Sequence, residues 1–282
     1  MPAFKQVDVF TSKRFKGNPL AVIMDASGLS SDQMQNIANW TNLSETTFVL
    51  PPTTDRADYR VRIFTPQSEL PFAGHPTIGT AHALLESGLI SAKDGSIVQE
   101  CGAGLVNLTI ANSGSISFEL PRPTITPLEE KDIDSLEGAL GCKIDRNLRP
   151  SLVDVGARWI IAHIVDAEAV LSIEPKLPEL VKHNKQLKAT GVTVYGEWSK
   201  DHIEVRSFAP ACGVDEDPVC GSGNGAVAAF IKSHGVLDRA FESSQGKMVR
   251  REGELKLTIS EEKILVGGNA ITCIEGTLNA GQ

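Results

Sequence analysis

The chain has 282 residues, enough for two domains, and 41% of them are apolar, which is ordinary for a globular protein. A formal net charge of -8 without a basic stripe argues against nucleic acid and acidic membrane surfaces as partners. No segment is apolar over the length of a signal peptide or a membrane span, and the five cysteines form no C-x-x-C pair, so reduced thiols and a cytoplasmic location are expected.

The first half of the chain predicts a series of strands and two helices. FKQVDVF and LAVIM have the composition of strands, SDQMQNIANWTN predicts a helix, and TTFVL and VRIF predict two more strands. A glycine-rich turn, AGHPTIG, leads into a helix predicted over Thr77–Ser87, and the strand-like segments SIVQE and LVNLTI follow it. This second helix is apolar nearly all round, which is typical of a helix buried on every side.

A proline-rich segment, PRPTITP from Pro121, predicts a connector to the second half. That half opens with the strand-like LVDVG and WIIAHIV and continues with VRSF. A second apolar helix is predicted over Gly225–Ser233, after the turn CGSGNG, and KMVRR and ELKLTI predict further strands. We therefore expect half-domains at residues 1–120 and 121–282, with the last strand able to pack back on the first half.

The two halves repeat one another in order. ELPFAGHPTIGTAHALLESGLI, from Glu69, aligns with EDPVCGSGNGAVAAFIKSHGVL, from Glu216, at a constant offset of 147 residues. Gly88 and Gly235 correspond in this alignment and stand where a left-handed helix cap is expected. VRIFTP and VRSFAP match upstream at an offset of 144, and two Leu-Thr-Ile segments match downstream at 149. The series favours an α/β (α+β) fold of two pseudo-symmetric halves, each a mixed sheet wrapped around a central helix, with the active site in the cleft between them.

The glycine turns before the two apolar helices are candidate anion sites. A helix N-terminus exposes unpaired N–H groups and carries partial positive charge, and glycines let a ligand approach the backbone closely. Either turn alone is more simply a tight turn before a buried helix, whereas their pairing in a repeat favours one shared carboxylate site. GSGNGA lacks the Lys-Ser/Thr of a P-loop, which argues against a P-loop nucleotide site. It also follows DEDP instead of an apolar strand, which argues against a dinucleotide-binding fold.

Four motifs occur in an order that is typical of one family: VDVFTSKRFKGNPLAVI, NLSETTFVL, ELPFAGHPTIGTAHAL and DEDPVCGSGNGA. Together they resemble the PhzF-like proteins, which are named after a phenazine-biosynthesis isomerase and have the diaminopimelate-epimerase fold. The resemblance extends over nearly the whole chain, and it is specific to the family but not to a substrate. It implies an isomerase and a homodimer.

The resemblance implies three catalytic residues. Glu45, in SETTF, matches the acid/base residue, which needs partial burial to raise its pKa toward the working pH. Its local sequence alone is more typical of a solvated or capping glutamate. His75 matches a supporting polar residue at a helix start, where protonation is disfavoured, although it could simply cap its own turn. Asp217 matches a second supporting polar residue of the family, which could orient His75 or bind a substrate ammonium group. The alternative interpretation of Asp217 is that it belongs to a solvated acidic turn.

The resemblance also implies substrate-binding residues, with a carboxylate held by Gly74, Gly221 and Ser222. Asn18, in the GNP motif, is shared with the family without a definite role. Cys220 is placed with the binding residues because it stands at a predicted helix N-terminus, where thiol pKa values are often lowered. Epimerases and racemases of this fold use two facing cysteines. The repeat counterpart of Cys220 is Ala73, so the two-thiol mechanism lacks one base.

These features favour a cofactor-free isomerase in which Glu45 moves a proton on a small carboxylate substrate. No nicotinamide, flavin or pyridoxal phosphate signature is present, and the six histidines lack metal-ligand spacing. One alternative is an epimerase, racemase or dehydratase of an amino or hydroxy acid that uses Cys220. Another is a non-catalytic metabolite-binding protein, which needs the glycine turns but not Glu45. Neither fold nor site fixes the substrate.

Overall fold

A computed structural model describes residues 1–279 of the chain. Within these residues the chain divides into two compact units: Met1–Glu119 with the residues from Gly267 to Asn279, and Leu120–Val266. The first unit thus contains both the beginning and the end of the described part of the chain. Across residues 1–279, no helix combines the length and apolar character needed to cross a membrane.

The first unit begins with two strands, a helix and three strands, and its second helix is followed by three more strands. They are β1 (Ala3–Val9), β2 (Asn18–Ile23), α1 (Ser31–Thr41), β3 (Thr46–Leu50), β4 (Tyr59–Phe64), β5 (Glu69–Leu70), α2 (Gly74–Glu86), β6 (Ser96–Cys101), β7 (Gly104–Ile110) and β8 (Ile116–Glu119).

The second unit adds a layer of three helices to the same kind of sheet. Its elements are β9 (Thr124–Pro127), α3 (Glu130–Leu140), β10 (Ser151–Asp154), β11 (Arg158–His163), α4 (Ala167–Leu171), α5 (Leu177–Leu187), β12 (Gly191–Ser199), β13 (His202–Ala209), β14 (Val214–Asp217), α6 (Gly221–Ser233), β15 (Arg239–Gln245), β16 (Gly253–Ile259) and β17 (Ile264–Gly268). The chain returns to the first unit within β17, and β18 (Ala270–Thr277) belongs to that unit.

The sheet of the first unit wraps around α2. β1 pairs antiparallel with both β2 and β18, so the last strand within residues 1–279 completes the first sheet. β2 and β3 are parallel, β3 and β4 are antiparallel, and β4 and β6 are parallel. Helix α2 packs against β1, β2, β3, β8 and β18, and ten of its residues are buried. An apolar helix surrounded by strands in this way explains why its sequence lacks a polar face.

The sheet of the second unit has a packed layer on each side. One side carries a core formed by α3, α4 and α5 with alternate residues of the strands, such as Leu136, Leu180, Ile160 and Val192. Helix α6 packs against β10, β11, β12 and β16. β11 and β12 run parallel, as do β13 and β15. These central strands are buried on both faces, which accounts for continuous apolar runs such as WIIAHIV.

The repeat predicted from the sequence is present in the structure. Helices α2 and α6 have thirteen residues each, and the offset of 147 relates both their first and their last residues. β7 and β16 correspond at the offset of 149 along their whole length. Gly88 and Gly235, which follow the two helices, both have positive φ angles, 67° and 87°. The left-handed caps expected at these glycines are confirmed.

Three local predictions are wrong. Both apolar helices start earlier than Thr77 and Gly225, since the glycine turns form their first turns. PRPTITP is not only a connector: it contains β9, which pairs with β10, and prolines are tolerated in such edge positions. KMVRR is not a strand but a single 3-10 turn, because Gly246 ends β15 at φ 99° and Arg250 also adopts a positive φ of 62°.

An arginine–glutamate pair precedes the helix start in each half of the repeat. Arg206, on β13, makes two hydrogen bonds to the carboxylate of Glu216 (3.0 and 2.8 Å), and Arg62, on β4, makes two to Glu69 (2.7 and 2.6 Å). Each arginine also lies over a phenylalanine ring on its own strand. Since both glutamates stand four residues before a helix N-cap, each pair fixes the segment that leads into its helix.

The two pairs differ in burial, and this difference makes a prediction. The Arg206 and Glu216 side chains are 5% and 11% exposed, whereas those of Arg62 and Glu69 are 25% and 41% exposed. Glu216→Gln leaves a buried guanidinium without its counter-ion and should lower the free energy of unfolding by roughly 3 kcal/mol. Glu69→Gln, the matched control, should cost about 1 kcal/mol or less. Urea denaturation of both variants checks this, and equal losses would contradict it.

Candidate active site

Glu45 lies in the short loop between α1 and β3, directly before the first residue of β3. α1 ends at a left-handed cap, Asn42, whose N–H donates to the Ala38 carbonyl. The hydroxyls of Thr41 and Thr46 are 2.9 Å apart and link the end of the helix to the start of the strand. The backbone on both sides of Glu45 is therefore fixed, and its side chain is only 16% exposed.

His75 is the second residue of α2, and its side chain is 8% exposed. The helix is attached to β3 by a hydrogen bond from the Thr80 hydroxyl to that of Thr47 (2.9 Å). A second bond runs from the Gln99 amide of β6 to the Thr77 hydroxyl (3.0 Å). Because Thr47 is two residues from Glu45, docking of α2 on β3 also fixes His75 relative to Glu45.

The structure brings Glu45 and His75 together. Their nearest atoms, Oε2 of Glu45 and Nε2 of His75, are 3.4 Å apart, slightly beyond an ordinary hydrogen bond. Oε2 of Glu45 is buried and makes no hydrogen bond to any residue in the described part of the chain. Burial raises the pKa of Glu45 from an ordinary 4.5 to about 7. A carboxyl group with this pKa exchanges protons readily at neutral pH.

The start of α6 brings together Cys220, Gly221 and Ser222. Cys220 is the N-cap, and its Sγ accepts a hydrogen bond from the Gly223 N–H (3.2 Å). The Ser222 hydroxyl accepts one from the Trp159 indole of β11 (3.0 Å) and lies 3.6 Å from Sγ of Cys220. Ala73, the counterpart of Cys220, is the N-cap of α2 and makes no side-chain capping bond. The asymmetry expected between the two halves is thus present.

Only glycine fits at position 223. A Cβ added there would lie 2.8 Å from both the Ser207 and the Thr193 hydroxyl oxygens. Both hydroxyl-bearing strands, β12 and β13, therefore approach the backbone of α6 closely. This close approach explains the glycine at position 223.

Asp217 and Asn18 have clear structural places. Oδ1 of Asp217 accepts a hydrogen bond from the Val219 N–H (3.0 Å), so this carboxylate holds its own turn. Asn18 is buried at the first position of β2, opposite Val9 of β1. Gly74 is the first residue of α2 and is also buried. The roles of these residues toward a substrate stay predictions.

Sequence reasoning missed Gln245 and Trp159, which contact the turn before α6. The Gln245 side chain of β15 bonds to Cys220 and Asn224, and Trp159 bonds to Ser222. Both come from strands distant in sequence, so no local pattern marks them. In the structure, β6 of the first half also has a buried glutamine, Gln99, which bonds to the apolar helix α2.

Comparison with known proteins gives a consistent result. The model of the family described as phenazine biosynthesis-like protein matches residues 7–276. Antisense-enhancing sequence 1 of Schizosaccharomyces pombe is 47% identical, over 97% of each chain. A trans-2,3-dihydro-3-hydroxyanthranilate isomerase of Pseudomonas chlororaphis is 33% identical, over 96% of this chain and 97% of that protein. The predicted resemblance to this family is confirmed, and so is the prediction of an isomerase.

Solved structures agree with the predicted fold. The crystal structure of a Bacillus anthracis phenazine biosynthesis protein of the PhzF family has a TM-score of 0.86 and 25% identity, with 98% of each chain covered. A hydroxyproline epimerase of Agrobacterium vitis has a TM-score of 0.66 at 16% identity, with 98% of this chain and 91% of that chain covered. The second similarity concerns the fold alone, and it confirms the epimerase-like fold class.

The raised pKa of Glu45 predicts a pH-dependent stability. The unfolded chain releases this proton near pH 4.5 and the folded chain near pH 7, so the folded state loses stability as pH rises between these values. The loss should amount to ~3 kcal/mol. Glu45→Gln removes the titrating carboxyl and with it this loss of stability. The free energy of unfolding of the variant, relative to that of the unsubstituted protein, should therefore increase from pH 4.5 to pH 7.5.

Chemical denaturation across this pH range measures the difference. Glu119→Gln, at an exposed carboxylate of the same unit, is the control and should show no such trend. A difference between Glu45→Gln and the unsubstituted protein that stays constant with pH would contradict the assigned pKa.

Proposed function

The chain belongs to the phenazine biosynthesis-like protein family, and from this premise we propose that Glu45 moves a proton between two carbons of a small carboxylate substrate. The observation that carries this proposal is the buried carboxyl group with a pKa of about 7, 3.4 Å from His75. The reaction is an isomerisation, so it is redox neutral and needs no electron carrier. We accordingly propose that the chain works without a cofactor.

The proton transfer has two steps. Ionised Glu45 takes a proton from a carbon that a carboxyl group or a conjugated double bond activates, and the electron pair of the broken C–H bond moves into the conjugated system. Glu45 then gives the proton to another carbon of the same molecule, where a new C–H bond forms. A pKa near working pH suits a group that must act first as base and then as acid. His75, beside Glu45, can hydrogen bond to the substrate or to the protonated carboxyl.

The first turn of α6, together with its N-cap Cys220, is the proposed carboxylate site. The N–H groups of Gly221 and Ser222 have no hydrogen-bond partner among the described residues, and they lie at the positive end of the α6 dipole. The hydroxyl of Ser222 is held in place by Trp159. Two backbone donors and a fixed hydroxyl suit the two oxygens of a carboxylate.

The name of one relative supports a substrate class for this proposal. The Pseudomonas chlororaphis relative is named for trans-2,3-dihydro-3-hydroxyanthranilate, a carboxylate whose ring also carries conjugated double bonds. We propose this compound and related unsaturated carboxylates as the first candidates. The proposal extends to a cytoplasmic homodimer that binds neither nucleic acid nor membranes.

Cys220 supports a second candidate function. Its sulfur lies at the N-terminus of α6 and accepts a hydrogen bond from the Gly223 N–H. An epimerase, racemase or dehydratase of an amino or hydroxy acid could use it as a second acid/base group. The plainer role is that of an N-cap, which a serine would fill equally well.

Solvent deuterium uptake tests the proposal and separates the alternatives. The protein is incubated in D2O with trans-2,3-dihydro-3-hydroxyanthranilate and a panel of unsaturated, amino and hydroxy carboxylates, and uptake is followed by proton NMR. Glu45→Gln should lower the exchange rate by about 10²- to 10⁴-fold while ligand affinity stays within a few-fold. Glu119→Gln should behave like the unsubstituted protein.

Three outcomes would decide against the proposal. Full exchange activity in Glu45→Gln would remove Glu45 from the mechanism. A comparable loss in Cys220→Ser with Glu45 intact would favour the thiol-dependent enzyme, because serine preserves the cap but not the thiol. Binding of a panel member without deuterium uptake by the unsubstituted protein would favour a metabolite-binding protein.

A further inference from the structure

Gln245 makes an unusual set of contacts with the turn before α6. It is the last residue of β15, and the residue is 1% exposed. Its Oε1 accepts hydrogen bonds from the Cys220 backbone N–H (3.1 Å) and from Nδ2 of Asn224 (2.8 Å). Its Nε2 donates to the Asp217 carbonyl (2.9 Å). One buried amide thus binds the beginning, middle and end of the segment from residue 217 to residue 224.

Gln245 is itself held rigidly. Its backbone pairs in register with Val205 of β13 on one side and with Gly253 of β16 on the other. The chain then turns away at Gly246, whose φ of 99° brings its backbone close to the Pro218 carbonyl. Because the strand is paired on both edges, the backbone of Gln245 is held in place. Its side chain therefore restricts the position of the segment that it contacts.

This contact decides which N–H groups of the turn have a partner within the protein. Oε1 of Gln245 accepts a hydrogen bond from the Cys220 N–H, and Sγ of Cys220 accepts one from the Gly223 N–H. The Asn224 N–H makes the first helical bond, to the Cys220 carbonyl. Gly221 and Ser222 are then the two consecutive N–H donors at the N-terminus of α6 that no described residue uses.

We propose that Gln245 is a positioning residue for the substrate carboxylate: it holds the turn so that Gly221 and Ser222 offer adjacent N–H donors, and it does so without adding negative charge. This inference rests on the carboxylate site proposed above. At neutral pH a side-chain amide supplies both the acceptor that Cys220 and Asn224 need and the donor that the Asp217 carbonyl needs. A glutamate would keep the acceptors but would face the Asp217 carbonyl with a charge and repel an anion.

The first unit supplies a matched control. Gln99 of β6 is also fully buried, and it bonds to Thr77 of α2 and to Tyr59 of β4. It has the same chemistry and burial as Gln245, but its partners belong to the first unit. Gln99→Glu therefore introduces the same buried carboxyl without touching the turn before α6.

The test measures binding of acetate, the simplest carboxylate, by NMR of protein labelled with ¹⁵N at glycine and serine. All variants carry Glu45→Gln, since Glu45 titrates in the same pH range. In this parent, acetate should shift the amide signals of Gly221 and Ser222. At pH 8, Gln245→Glu should weaken acetate binding at least tenfold, whereas Gln99→Glu should bind as the parent does.

The pH dependence distinguishes positioning from a general loss of structure. A buried glutamate takes up a proton on acidification, becomes neutral and regains a donor for the Asp217 carbonyl. Acetate affinity of Gln245→Glu should therefore recover to within a few-fold of the parent at pH 5.5. Gln245→Met, which is close in size but has no donor, should bind acetate at least threefold more weakly at both pH values.

The inference would be overturned if acetate did not shift the Gly221 and Ser222 signals in the parent. It would also be overturned if Gln245→Glu at pH 8, or Gln245→Met, bound acetate as tightly as the parent. An equal loss of acetate affinity in Gln99→Glu would contradict it as well. If Gln245→Glu does not fold at pH 8, the Gln245→Met result decides alone. Because acetate is not turned over, failure of the deuterium exchange described above would leave this test unaffected. The two proposals can therefore fail separately.

Discussion

Burial of one ionisable group, the carboxyl of Glu45, is the constraint on which the site depends. Removing a carboxylate from water disfavours its charged form, and here this brings the pKa to about 7. The cost is tolerated because the loop cannot relax: the hydroxyls of Thr41 and Thr46 link the elements on either side, and Thr47 attaches α2 to the same strand. The unfavourable burial of one side chain is thus maintained by several ordinary contacts around it.

The two halves share a fold but have diverged in the chemistry at their helix starts. The first has Ala73 as its N-cap, with His75 two residues later, whereas the second has Cys220 with a sulfur that accepts a hydrogen bond. The arginine–glutamate pair that precedes each helix is more exposed in the first half and buried in the second. The two helix starts therefore carry different chemistry, an imidazole in the first unit and a thiol beside a hydroxyl in the second.

The sequence predicted the repeat, the two central helices and their left-handed caps, because periodicity and glycine placement are local properties. It did not predict the three helices over the sheet of the second unit, whose amphipathic patterns were not recognised. It placed Glu45 before a strand, but the burial of that residue depends on tertiary packing. Gln245 was missed for the same reason, since it acts on Cys220, 25 residues earlier in the chain. Contacts of this length leave no periodic pattern.

The most direct test of this account is the pKa of Glu45 itself. Protein labelled with ¹³C at the glutamate side-chain carboxyl carbons can be titrated by NMR, and Glu45→Gln identifies the signal by its disappearance. We expect a single carboxyl signal that titrates near pH 7, well separated from those of exposed glutamates. A Glu45 signal that titrates near 4.5, the ordinary value, would show that the group is solvated and would contradict its role as the proton carrier.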